Sequence, residues 1–69
     1  MKNINYDLVK LFLATLDAVR RLENHCIADA EAAKCHSLPA LQKMLEAERA
    51  HADMLRDEIA MRAKAGVFD

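Results

Sequence analysis

The sequence predicts an all-α protein: a two-helix antiparallel hairpin that dimerises into a four-helix bundle. Three observations carry this. One Gly and one Pro in 69 residues leave material for a single turn. The residues on either side of it are rich in Ala, Glu, Leu, Lys and Arg, a composition suited to long helices. Apolar residues recur on both sides at spacings of three and four, which stacks them along one side of a helix. The chain reads as a single domain, 1–69, with a first helix over about 5–34, a turn at 35–38 and a second helix over about 39–65.

In the first helix, Asn3 or Asn5 is placed to cap the start, with Asp7 in the first turn. The main stripe is Ile4, Leu8, Phe12, Thr15, Val19, Leu22, Cys26, Ala30 and Ala33. Val9, Leu13, Leu16 and Ile27 widen it, so the helix asks for more than one neighbour. Asp17 is spaced to pair with Arg21 on the solvent side.

The segment Cys35-His36-Ser37-Leu38-Pro39 is the turn. Leu38 precedes proline and is biased out of the helical region. Pro39 suits a first helical turn, and Ser37 is a cap just before it. Gly66 fits a left-handed position closing the second helix, with Lys64 favourable in its last turn. Beyond it, Val67-Phe68-Asp69 either folds back or frays.

The second helix carries two facets. Leu41, Leu45, Ala52, Leu55 and Ile59 form one, with Glu48 in its middle. Met44, Ala47, His51, Met54 and Met61 form the other. One hairpin supplies only one neighbour, and a chain of this size seldom builds a core worth more than ~3–5 kcal/mol alone. Self-association is therefore expected. The expected core and dimer residues are Leu8, Phe12, Val19, Leu22, Cys26, Leu41, Leu45, Leu55 and Ile59.

Charge excludes several function classes. Ten basic and eleven acidic residues are interspersed for a net −1, and Arg20-Arg21 is the only basic cluster. Nothing tracks a nucleic-acid backbone. The longest apolar run is too short to span a bilayer and has no signal-peptide layout. A cytoplasmic protein with reduced cysteines is expected. Ser37 is the only serine, there is no Gly-rich phosphate loop, and no nucleophilic triad can be assembled. The chain is not expected to be an enzyme.

Two sets of potential metal ligands need weighing. His25-Cys26 and Cys35-His36 form a mirrored pair of soft ligands, but nine residues of helix separate the thiols by ~13 Å and about half a turn. They match no zinc spacing, and Cys26 reads as a core residue and Cys35 as an exposed turn residue. Glu48 and His51 form a Glu-x-x-His on one side of the second helix, and Glu23 falls opposite them across the hairpin. A two-fold dimer gathers four carboxylates and two imidazoles, the inventory of a di-iron bundle. The string Glu48-Arg49-Ala50-His51-Ala52 followed by Leu55 resembles the second-helix motif of ferritin-like proteins, which implies iron and a ferroxidase or storage role. Against this, a Glu three residues before a His arises readily in a Glu-rich helix. His51 is then a flank residue, and Glu48 reaches the edge or pairs with an arginine such as Arg20. The reading adopted is no cofactor, with iron at Glu23, Glu48 and His51 as the alternative.

The register Met44-Leu45-Glu46-Ala47 and Ile59-Ala60-Met61-Arg62-Ala63, with the chain length and the single turn, resembles a small phage-encoded family, the quorum-sensing anti-activators. The resemblance implies a dimeric helical hairpin in the host cytoplasm that binds and blocks a host protein. The implied targets are a LuxR-type transcriptional activator or a type IV pilus assembly ATPase. The family carries aromatic contacts around the turn, where this chain has Leu38, Pro39 and Met44. The expected partner-binding residues are Leu38, Met44, Arg49 and Met54, from the turn end and the Met-bearing flank, where unbranched thioether side chains repack against varied surfaces.

Overall fold

A computed structural model describes residues 1–69 as an all-helical hairpin with extents of 49 × 16 × 13 Å. The first arm is α1 (Asn3–Arg21), one π-helical turn (Leu22–Cys26) and α2 (Ile27–Ala32); the second arm is α3 (Leu38–Lys64). The helices begin and end one or two residues earlier than the sequence suggests, and the turn spans residues 33–37.

The π turn is an unexpected feature with a cause in the stripe. The Ile27 N–H donates to Leu22 O, five residues back. Leu22, Cys26 and Ala30 step by four twice, whereas two α-helical turns take about 7.2 residues. The wide turn absorbs the surplus and keeps all three on the α3 side. Leu22 and Ala30 are buried there and Cys26 is half-buried.

The core is thin. Its buried apolar residues are Leu22, Ala30 and Ala52. Leu8, Phe12, Val19, Leu41, Leu45, Leu55 and Ile59 line the seam but stay half-buried. Thr15 is buried, and its hydroxyl donates to Leu11 O at 2.8 Å, the back-bond that satisfies a hydroxyl within its own helix. Two stripe residues fall outside the seam: Ile4 and Ala33 are exposed.

Asn5 is the one fully buried large side chain, at 0% exposure. It is not a cap: α1 starts after Lys2, and no side chain caps it. Its amide instead donates to Val67 O (2.9 Å) and Asp69 O (3.3 Å), and its Oδ1 accepts from Arg62 Nε (2.7 Å). Lys2 N–H donates to Asp69 O (2.6 Å), and Lys2 Nζ lies 3.2 Å from Asp69 Oδ1. Val67-Phe68-Asp69 therefore folds back and is clasped to the start of α1. The hydrogen bond from Lys2, and then its charge, hold the Asp69 carboxyl below its ordinary range. That small contribution is present at neutral pH and fades as pH falls through the lowered value. The acid expected in the first turn is absent from it, since α1 begins early enough to leave Asp7 beyond.

Both arms end in the same device. Gly66, at φ +76, lets Val67 N–H donate to Arg62 O and Gly66 N–H to Ala63 O. At the end of α2, Cys35 N–H donates to Ala30 O and Lys34 N–H to Glu31 O. Here the left-handed residue is Lys34, at φ 52, a conformation that costs a side-chain-bearing residue about 1–2 kcal/mol. Two expectations for the turn change. Leu38 is the first residue of α3, so the bias imposed by Pro39 is overridden where the chain packs its half-buried side chain. Ser37 holds the cap position without capping; its hydroxyl donates to Cys35 Sγ at 3.1 Å.

Candidate functional site

The two facets of α3 separate as their spacing implies. Leu41, Leu45, Glu48, Ala52, Leu55 and Ile59 face the first arm, buried or half-buried. Met44, Ala47, His51, Met54 and Met61 stay out, with Met54 at 67% and Met61 at 65% exposure. Beside them, α1 contributes Leu11, 55% exposed. Leu11, His51 and Met54 meet in a shallow groove along one flank of the helix seam. One stretch, about 370 Å³, is lined by Leu8, Leu11, His51, Met54, Leu55 and Glu58. An adjoining stretch, about 340 Å³, is lined by Leu11, Ala14, Thr15, Glu48, His51 and Leu55. Leu11 and Ala14 belong to no stripe read from the sequence. Their helical phase places them at its margin, and only the position of α3 decides that this margin becomes a groove wall.

The four expected partner-binding residues do not form one patch. Met44 and Met54 are exposed on the groove flank. Leu38 is half-buried at the turn. Arg49 is five residues from Met44, about 140° around the helix at 3.6 residues per turn. It lies across the seam from Glu23, with Nη2 3.2 Å from Glu23 Oε2. The register that sets Glu23 opposite the 48–51 stretch is thus present, but Glu23 meets Arg49 there.

That ion pair shapes the metal alternative. Glu48 Oε1 lies 3.1 Å from His51 Nδ1, a contact that favours the proton on Nδ1 and leaves Nε2 free. Glu23 is not with them, and no three His, Cys, Asp or Glu side chains of the hairpin come together as a metal-binding group. Glu48 does not pair with Arg20, the arginine suggested for it. Asp17 and Arg21 also remain unpaired, since the ion pairs present are Lys2–Asp69, Arg49–Glu23, His51–Glu48 and Arg56 with Asp53 and Asp57.

The thiols differ in setting: Cys26 is half-buried in the π turn and Cys35 is exposed. The Ser37 hydroxyl, and then the Ser37 backbone N–H, stabilise the Cys35 thiolate and lower its pKa. At neutral pH a maleimide is expected to label Cys35 within the native state and Cys26 only on unfolding. Ser37→Ala should shift the pH midpoint of Cys35 labelling upward. Equal labelling rates at the two cysteines, or an unchanged midpoint in the variant, would contradict this assignment.

No helix is long and apolar enough to cross a membrane. In comparisons with protein-family models, curated proteins and solved structures, nothing matches this chain.

Proposed function

We propose that this chain works by binding, not by catalysis: a small hairpin that pairs with a second copy into a four-helix assembly and engages another protein through its Met-bearing groove. One observation carries the reading. Three apolar residues are buried, while Met44, Met54, Met61, Leu11, Leu13 and Leu16 stand exposed. Apolar surface exposed on both flanks of the hairpin marks interaction sites, because neither arm covers it.

The groove suits a protein partner. Leu11 and Leu55 give it a firm wall and Met54 an adaptable one, with Met44 exposed on the same facet of α3. By resemblance to the quorum-sensing anti-activators, the partner is a host protein such as a LuxR-type activator or a pilus assembly ATPase, and the action is inhibition in the host cytoplasm. Met54→Asp and Met44→Asp are expected to weaken capture of the partner by at least about 30-fold each, as for loss of an interface anchor worth about 2 kcal/mol. Helix content should stay unchanged, because both side chains are solvent-exposed in the hairpin. Normal binding by both variants would remove the groove from the account.

The alternative is a carboxylate-bridged di-iron hairpin. What favours it is that Glu48 and His51 stand together on the open groove. Metal analysis separates the two: about two irons per dimer, lost in Glu48→Ala, would replace the binding reading.

A further inference from the structure

A second apolar line runs along α1 on the side away from the groove. Tyr6, Val9, Leu13 and Leu16 follow one another at spacings of three, four and three. Tyr6 and Leu13 are each 54% exposed, Leu16 is partly exposed and Val9 is half-buried. This is the spacing of a helix–helix seam, and a line this narrow accommodates a single helix. On the same side α3 presents Arg49 and Arg56, each held by carboxylates, so the line belongs to α1 alone.

The charges beside it indicate which helix fits. Lys10 and Asp17 sit seven residues apart on the outer edge of the line, one heptad of the seam. Neither has an ion-pair partner in the hairpin; Lys10 Nζ lies only over the Tyr6 ring, 5.8 Å from its centre. In a parallel pair this edge faces the opposite edge of the other helix. In α1 that edge is Phe12 and Val19, which are turned toward α3. In an antiparallel pair the outer edge faces its own counterpart. Two copies of α1 then set Lys10 against Asp17 of the other copy, twice, with Leu13 opposite Leu16. A two-fold axis demands this self-complementarity, and the sequence of α1 supplies it.

We infer that the self-contact is this line: α1 packs against α1 of a second copy, antiparallel, about a two-fold axis near residues 14 and 15. The two α1 helices form the centre of the four-helix assembly and the two α3 helices its outside. The groove containing Leu11, His51 and Met54 remains open on each copy. The inference rests on the reading of the chain as a self-associating binder, and it assigns which surface is used for which contact.

Dilution of the purified full chain, followed by sedimentation at low salt, tests it. Leu13→Glu is expected to weaken self-association by at least about 30-fold while the helical spectrum is retained. Lys10→Asp and Asp17→Lys should each weaken it several-fold by setting like charges together, and Lys10→Asp/Asp17→Lys should restore it. If Leu13→Glu unfolds the chain, the charge-reversal series decides. If Leu13→Glu stays dimeric and Leu11→Glu dissociates, the copies meet through the groove and the inference is overturned, although self-association stands. Single reversals that weaken the dimer without rescue by the double variant overturn the antiparallel pairing. A wild-type chain that is monomeric throughout removes the self-association reading itself.

Discussion

Asn5→Ala is expected to lower the unfolding free energy by about 2–4 kcal/mol. The side chain makes three hydrogen bonds from a fully buried position, one of them to the Arg62 guanidinium. Each neutral bond contributes about 0.5–1.5 kcal/mol net and one to a charged group about 1.5–3, and the partners left behind lose their pairing. The loss should concentrate at the open end of the hairpin. Amide exchange at Lys2 and Val67 should accelerate most, because the Lys2 N–H donates to Asp69 O and the Val67 N–H lies in the segment that Asn5 holds. Asn5→Asp is the informative companion. It keeps an oxygen for Arg62 but replaces the donating amide with an oxygen facing two carbonyls. It should therefore free the tail even though an attraction to Arg62 survives. A loss under 0.5 kcal/mol in urea unfolding of Asn5→Ala would mean that the clasp contributes nothing to the fold.

Leu22→Ala is expected to cost about 2–5 kcal/mol, the range for truncating a buried leucine. Leu22 is the largest apolar side chain in the buried core and opens the π turn. The truncation leaves a void in a seam whose other buried apolar residues, Ala30 and Ala52, are small. Leu55→Ala should cost less within one hairpin, since Leu55 is half-buried and also lines the groove. Its cost should rise wherever a partner covers that groove. Equal, small losses for the two variants in denaturant titrations would mean that the seam is misassigned.

Much of this architecture is legible in the sequence, for local reasons. A lone Pro39 and a lone Gly66 bracket α3, and both act through their own backbone geometry. The facets of α3 follow from helical periodicity, and the hairpin register sets Glu23 across from Arg49. What escapes the sequence depends on distant partners. An asparagine near a helix start reads as a cap; Asn5 is buried because residues 67–69 return to it. The π turn leaves only a faint trace, the repeated four-residue step from Leu22 to Ala30. Arg49 reads as the rim of a Met-centred patch until the far arm supplies Glu23 on the other side. Leu13 reads as widening the stripe and Leu11 as lying outside it, yet both are exposed. The position of α3 sends one to the groove and the other to the opposite flank.

If association covers the hairpin's outward apolar surface, the chain is not a lone particle in solution. Light scattering on the purified chain at micromolar concentration tests it most directly. The predicted result is a particle of two chains that dissociates, and loses thermal stability, on dilution. A stable, fully helical single chain at every concentration would contradict it.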